Sequence, residues 1–181
     1  IEGVILGSSL IDSGKVKNVI SSTSSHNMSS EKQFRNPTEY GAPKPKTATF
    51  TATGGASMLL TNENTGIKVE SSTIGRILDY NQTDPLNMGS VMAPAAADTI
   101  YRHLKDMNRD PSYYDLILTG DLGLYGKEIL IDFMKTEYGL DISSNYNDCG
   151  VMLYDLETQK EVLAGGSGPV CSALVNYSLV I

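Results

Sequence analysis

The clearest hydrophobic pattern of the chain is a short apolar run followed by a glycine-containing turn and then by apolar residues at helical spacing. The run covers residues 116–118 and is typical of a strand that is buried on both faces. A turn at residues 120–123 and a helix that ends at Gly139 complete the unit. Because ligands of open α/β sheets bind at the carboxyl ends of strands, Asp121 on this turn is the first candidate for a ligand contact.

The remaining elements follow from the same periodicities. Helical spacing predicts further helices over residues 1–13, 94–107 and 171–181. Alternation or short apolar runs predict strands over residues 16–21, 47–60, 67–73, 151–154 and 161–163. We expect a turn at residues 62–66 to join two of these strands as an antiparallel hairpin, and we expect Pro94 to open its helix. A second glycine-rich turn at residues 165–169 leads into the last helix, so the pattern predicts the α/β class.

The longest stretch without a regular period covers residues 23–46 and is polar. A loop of that length is unusual inside a compact domain, so we expect it to be functional. Arg35 within it forms either a surface ion pair or a contact with a ligand carboxylate, which arginine can bind through two hydrogen bonds. For Arg76, outside this loop, we expect a surface ion pair.

Composition and charge narrow the range of functions. The formal net charge of −7 argues against a nucleic-acid partner. No apolar run approaches the roughly 20 residues of a membrane-spanning helix. Cys149 and Cys171 form no disulfide framework and are expected to be reduced thiols. Helical spacing without caps at both ends leads us to expect a piece of a longer protein.

Two familiar ligand-binding motifs do not match this sequence. A phosphate-binding loop needs four residues between its first glycine and a Gly-Lys pair, but five separate Gly120 from Gly126, and Glu128 would repel a triphosphate. Residues 141–147 alternate like the start of a calcium-binding EF-hand loop. There, however, Tyr146 replaces the required glycine, and a methionine replaces the final glutamate. We therefore interpret residues 120–126 as a tight turn and residues 141–147 as a solvated polar loop.

The candidates for nucleophilic catalysis are the cysteines and histidines. Asp148 is expected to raise the pKa of the adjacent Cys149 thiol, whereas Cys171 lies just inside a helix start, a place that lowers thiol pKa. His26, which follows a strand end, and His103 are the available bases, although a single loop histidine is more often structural. No pair of these residues has the spacing of a zinc site.

Several stretches, taken together, resemble one protein family. They are residues 23–27, 31–35, 37–41, 83–85, 87–90, 92–99, 118–122, 147–150, 165–168 and 171–173. In this order they resemble the stage V sporulation protein AD family of spore-forming Firmicutes. The resemblance runs over the whole chain, which makes it more specific than any single motif above.

The resemblance implies a thiolase-like fold, the layered α-β-α-β-α arrangement of the ketoacyl synthases. Residues 1–62 would be part of an N-terminal half, and residues 63–181 would be the C-terminal half. The first strands, the cysteine that ends one of them, and the final strand would lie outside this sequence. Proteins of this fold usually dimerise through strands of the N-terminal half, so residues 47–60 are the expected homodimer contact.

The resemblance also implies that condensing chemistry is lost. Active condensing enzymes carry a histidine after the strand equivalent to residues 114–119 and a histidine or asparagine at the turn equivalent to residues 165–168. This chain has Gly120-Asp121 and Gly166-Ser167 there instead. An ionised Asp121 would repel an oxyanion rather than stabilise it.

The family is known for binding dipicolinic acid, pyridine-2,6-dicarboxylate. The resemblance implies that the protein works with the SpoVA membrane proteins in moving this compound into the forespore and out at germination. Its expected location is peripheral, on the cytoplasmic side of the forespore inner membrane. We expect Ser167, Thr119 and the backbone N–H groups of residues 165–168 to donate to the ligand. The full set of expected ligand-binding residues is Asp121, Ser167, Gly166, Thr119, His26 and Arg35.

Asp121 is unfavourable beside a bare dianion, but it suits calcium that accompanies the ligand, because calcium prefers carboxylate oxygens. Calcium is the only metal we expect, and no other cofactor is expected. Two alternatives remain open. One is a working acyltransferase whose cysteine lies outside this sequence, and the other is a structural scaffold of a membrane channel complex.

Overall fold

Helices and short two-stranded sheets alternate in the computed structural model, which describes residues 2–35, 39 and 41–180. The α-helices of this part are α1 Glu2–Asp12, α2 Met88–Asp106, α3 Gly123–Tyr138, α4 Cys149–Met152 and α5 Cys171–Val180. Its strands are β1 Asn18–Ser25, β2 Phe50–Thr51, β3 Gly54–Thr61, β4 Ile117–Thr119, β5 Tyr146–Asp148 and β6 Gly166–Ser167. A π-helix covers Met28–Arg35, and short 3₁₀ helices cover Pro111–Tyr113 and Lys160–Val162. The mixed α/β class is thus confirmed. The expected helix ends Ile1 and Ile181, and positions Pro37, Thr38 and Tyr40 of the family motif, lie outside the described residues.

The strands of the described chain pair in three separate sheets. β1 and β3 are antiparallel, with Asn18 opposite Thr61. β2 pairs in parallel with β6, and β4 pairs in parallel with β5, so that Thr119 lies opposite Asp148. Parallel pairing places the carboxyl ends of β4 and β5 at the same edge, where their last side chains can interact.

The main core lies between α2 and α3. Ala97 of α2 and Leu130 and Met134 of α3 are fully buried there. The two helices are in close contact at Gly89 and Gly126, because a side chain on either glycine would collide with the backbone of the other. A second core cluster, which includes Ala52, Cys149, Val170 and Cys171, lies under α5. No helix among the described residues is long and apolar enough to span a bilayer.

The strand–turn–helix unit of residues 116–139 is confirmed. β4 covers Ile117–Thr119, and α3 ends at Gly139, whose positive φ of 67° suits glycine. The helices predicted at both ends of the chain correspond to α1 and α5. The strand predicted at residues 16–21 is present as β1, displaced towards Ser25.

The predicted antiparallel hairpin is wrong. β3 pairs with β1, and residues 66–83 contain no helix or strand. This segment is instead held on α2 by side chains: Thr73 hydrogen-bonds His103 (2.8 Å), and Arg76 donates two hydrogen bonds to Asp98 (2.7 and 3.0 Å). The strand predicted at residues 67–73 is therefore wrong as well, because alternation alone does not supply a partner strand. The expected ion pair of Arg76 is confirmed.

Four further predictions of element type or bounds are wrong. α2 begins at Met88 rather than at Pro94, because the Asn87 side chain accepts a hydrogen bond from the Ser90 N–H and caps the helix there. The predicted strands at residues 151–154 and 161–163 are α4 and a 3₁₀ helix. The polar stretch that was interpreted as a loop contains β5.

The glycine contact between α2 and α3 generates a stability prediction. In Gly126→Ala, the added methyl group would lie 2.7 Å from the Gly89 Cα, so the helices must separate. We expect the substitution to lower the free energy of unfolding by about 1–3 kcal/mol, although alanine is the better helix former. Chemical denaturation measures this change. Glu128→Ala on the exposed face of α3 is the control, and equal stability of both variants would contradict the packing assignment.

Candidate functional site

The carboxylate of Asp148, at the end of β5, is fully buried and accepts hydrogen bonds from several segments. Its Oδ2 accepts from Thr119 Oγ1 (2.7 Å) and from the Leu122 N–H (3.0 Å). Its Oδ1 accepts from the N–H groups of Gly123 (2.9 Å) and Gly150 (3.0 Å). One carboxylate therefore holds together the end of β4, the start of α3 and the start of α4.

Asp148 was missed as a site-forming residue, because sequence reasoning treated it only as the neighbour of Cys149. Its position just before α4 is that of a helix N-cap, which is the signal that could have found it. Burial raises the pKa of this carboxyl, and the hydrogen bonds from Thr119 and the backbone act in the opposite direction. The donors thus offset part of the cost of burying the charge.

Asp121 lies in the turn that Asp148 organises. Its Oδ2 accepts a hydrogen bond from the Gly168 N–H (3.0 Å), which connects the end of β4 to the end of β6. Burial raises the pKa of Asp121 and the charge of Asp148 raises it further, while the Gly168 N–H and Arg35 lower it. Asp121 is therefore hydrogen-bonded to the residue that follows Ser167 and lies within electrostatic reach of Arg35.

The guanidinium of Arg35 lies against the hydroxyl groups of the β2–β6 pair. Its Nη1 donates to Thr51 Oγ1 and Ser167 Oγ, both at 2.8 Å, and to Glu31 Oε1 at 3.2 Å. Its Nη2 donates to Thr49 Oγ1 at 3.2 Å. The side chain keeps 29% of its surface exposed, so the guanidinium is ordered by the protein and still reachable from solvent.

Glu31 fixes the other side of this arginine. Its buried carboxylate accepts from the N–H (2.8 Å) and Oγ1 (2.9 Å) of Thr51 and from Lys44 Nζ (2.9 Å). Burial alone would raise its pKa, but Lys44, Thr51 and the charge of Arg35 outweigh burial and lower the pKa to about 2. Glu31 was also missed from the sequence, where the only signal is its spacing of four residues from Arg35.

The other predicted site residues have mainly structural contacts. Thr119 Oγ1 donates to Asp148 and lies 2.7 Å from the Tyr146 hydroxyl. Gly166 is buried, and a Cβ there would meet the Tyr154 ring. His26 is exposed and lies just beyond the end of β1. The structure thus brings together Asp121, Ser167 and Arg35, with Thr119 and Gly166 as supports.

The expectation that N–H groups of residues 165–168 donate to a ligand is wrong for two of them. The Gly165 N–H donates to the Val162 carbonyl (3.0 Å), and the Gly168 N–H donates to Asp121. These N–H groups already have acceptors within the protein, as buried N–H groups require. A ligand here must therefore be bound mainly by side chains.

The prediction that a helix start lowers the Cys171 pKa is also wrong. Burial raises the pKa of this thiol, and the nearby charge of Asp121 adds to the effect. The Cys149 pKa is raised to about 12, first by burial and then by Asp148, as expected. Both thiols are free and buried, so neither has the exposure or the ionisation of a reactive cysteine.

Metal ligands do not cluster in the described part of the chain, where no group of three or more His, Cys, Asp or Glu side chains could hold an ion. Asp141, in the stretch that resembles an EF-hand loop, accepts from the N–H and hydroxyl of Ser143 instead.

Comparisons with known proteins agree on one family. A family model described as Stage V sporulation protein AD (SpoVAD) matches residues 1–181. The chain is also similar to a curated protein of Bacillus subtilis (strain 168), named Stage V sporulation protein AD. The two are 49% identical over 177 residues, which are 98% of this chain and 52% of the relative. The chain thus spans about half the length of this curated relative.

The environment of Glu31 predicts a specific dependence of stability on pH. Its pKa falls from 4.5 to about 2 on folding, so its contribution is complete above pH 4.5 and is lost as the pH falls towards 2. Glu31→Gln should therefore be less stable than the wild type at pH 7, by up to about 3 kcal/mol, and this difference should shrink below pH 4.5. Denaturant unfolding between pH 7 and pH 2 measures the difference.

The exposed Glu63→Gln variant is the matched control and should follow the wild type at every pH. A stability difference for Glu31→Gln that stays constant from pH 7 to pH 2 would show that the charge of Glu31 is not stabilising.

Proposed function

Because the chain belongs to the stage V sporulation protein AD family, we propose that it binds dipicolinate at the edge formed by Arg35, Ser167 and Asp121. The observation that carries the proposal is the partly exposed Arg35 guanidinium, which is held among the hydroxyl groups of Thr49, Thr51 and Ser167. We call these four residues, Arg35, Thr49, Thr51 and Ser167, the Arg35 site.

One hydrogen-bond partner of Arg35 can be exchanged for a ligand carboxylate. Nη1 of Arg35 has two hydrogen atoms but three acceptors within reach, on Glu31, Thr51 and Ser167. A ligand carboxylate is a stronger acceptor than a hydroxyl group, so it can replace Ser167 as a partner of the guanidinium. The released Ser167 hydroxyl can then donate to the same carboxylate.

The carboxylate of Asp121 determines which charge the ligand can carry. A dianion beside an ionised carboxylate is repelled, because the interior screens charges less than water does. Calcium that travels with dipicolinate removes this repulsion, since the diacid chelates the ion and Asp121 adds one more oxygen. We propose that the protein recognises the calcium complex better than the free dianion.

We propose a thiolase-like arrangement without condensing activity. Where the resemblance expects a histidine and a second histidine or asparagine, this chain has Asp121 and Ser167 at the ends of β4 and β6. A carboxylate at the first position opposes the developing oxyanion. The larger role would be the uptake of dipicolinate into the forespore and its release at germination, as a homodimer at the inner membrane together with SpoVA membrane proteins.

Calorimetric titration of the complete protein with calcium dipicolinate tests the Arg35 site. Arg35→Met should weaken binding by about 10- to 100-fold, because a hydrogen bond to a charged group contributes about 1.5–3 kcal/mol. Ser167→Ala should weaken it by about 2- to 10-fold. Arg102→Met on α2 is the control for loss of an arginine and should bind like the wild type.

Circular dichroism of each variant separates lost binding from lost folding, and Ser167→Ala keeps the test informative if Arg35→Met is unstable. Unchanged affinity in both variants would contradict the assignment of the site. No binding by the wild type, with intact assembly with membrane partners, would favour a scaffold instead.

Calcium is tested by repeating the titration in the presence of a chelator. We expect wild-type affinity for dipicolinate to fall without calcium, and we expect Asp121→Asn to reduce the difference between the two conditions, because the asparagine no longer repels the free dianion. Equal wild-type affinity with and without calcium would rule out the calcium complex as the preferred ligand.

A further inference from the structure

A second cation lies beside the Arg35 site and has no role in the function proposed above. Lys44 Nζ donates to Glu31 Oε2 (2.9 Å), while Arg35 donates to the other oxygen of the same carboxylate (3.2 Å). Both cationic side chains are accessible, with exposed fractions of 28% for Lys44 and 29% for Arg35. One buried carboxylate therefore separates two cations that solvent can reach.

The charges of this cluster are unevenly distributed. Glu31 is ionised at neutral pH, since its pKa is lowered to about 2 by Lys44, Thr51 and Arg35 against the effect of burial. Arg35, Lys44 and Glu31 together carry +1, and the carboxylate of Asp121 lies on the Arg35 side of the cluster. The charge of Asp121 partly offsets that of Arg35. An anionic ligand that contacts both Arg35 and Lys44 therefore gains more electrostatic attraction than one that contacts Arg35 alone.

The ammonium group of Lys44 is also restrained. It lies 5.9 Å from the centre of the Phe50 ring, within the range of a cation–π interaction, and the hydrogen bond to Glu31 fixes it from another side. Phe50 is itself held by an edge-to-face contact with Tyr154. A lysine that is restrained in this way loses less side-chain entropy when it binds a ligand.

We infer that Lys44 is a specificity-determining residue that binds the second carboxylate of the ligand, so that the site selects dicarboxylates over monocarboxylates. The two carboxylates of a pyridine-2,6-dicarboxylate diverge from one side of the ring and need two cationic donors that lie apart. Arg35 and Lys44 donate to different oxygens of Glu31, so the two cationic groups lie on opposite sides of one carboxylate. This inference rests on the proposed function and goes beyond it by assigning the second cation.

Affinities for dipicolinate and for picolinate, the pyridine-2-carboxylate, test the inference in the complete protein. The wild type should bind dipicolinate at least about tenfold more tightly than picolinate. Lys44→Met should lose most of this preference, because dipicolinate binding weakens while picolinate binding changes by less than about threefold. Lys44→Arg, which keeps a cation, should retain the preference.

Lys46→Met is the matched control, because Lys46 is an exposed lysine on the other side of Pro45. It should bind both compounds like the wild type. A Lys44→Met variant that folds and keeps the wild-type preference overturns the inference alone, as does one that weakens both compounds equally. If the wild type binds neither compound, the proposed function fails together with the inference. Lys44→Gln replaces Lys44→Met if the methionine variant does not fold.

Discussion

The buried carboxylate of Asp148 is the constraint on which the site depends. A charge in the interior must be matched by donors, and Asp148 obtains them from Thr119, Leu122, Gly123 and Gly150. These donors belong to three different elements, so the same hydrogen bonds that stabilise the charge also fix where the elements end. Asp121 lies between β4 and α3, so the hydrogen bonds of Asp148 also position Asp121.

Glu31 has the same role on the opposite side of the site. It connects the π-helix to β2 through Thr51 and holds Arg35 and Lys44 by its two oxygens. Two buried carboxylates thus build a site whose accessible groups are two cations and Asp121. Two accessible positive charges and one carboxylate thus lie close together, which is the basis of the proposed ligand.

Local patterns in the sequence were sufficient for elements whose stabilisation is local. The strand–turn–helix unit of residues 116–139 and helix α1 could be predicted from periodicity and a terminal glycine. The pairing of β3 could not, because alternation does not specify the partner strand. The segment around Thr73 and Arg76 has a strand-like pattern, yet its polar side chains hold it on α2.

The site shows the same division between local and tertiary causes. Asp121 was singled out from a turn after a strand, Arg35 from a long polar loop and Ser167 from the family resemblance. The structure places the three close together through Arg35–Ser167 and Asp121–Gly168 hydrogen bonds. The pKa of Cys171 was predicted in the wrong direction, since the effect of the helix start is local whereas burial depends on the whole fold. Glu31 and Asp148 were missed because their importance comes from donors that converge from distant residues.

The central claim is that the Arg35 site holds a small diacid, and a crystal structure of the complete protein with calcium and dipicolinate tests it most directly. We predict one ligand carboxylate within hydrogen-bonding distance of Arg35 and Ser167, with the calcium ion adjacent to Asp121. A ligand bound elsewhere, with the Arg35 guanidinium still bonded only to its protein partners, would contradict the account.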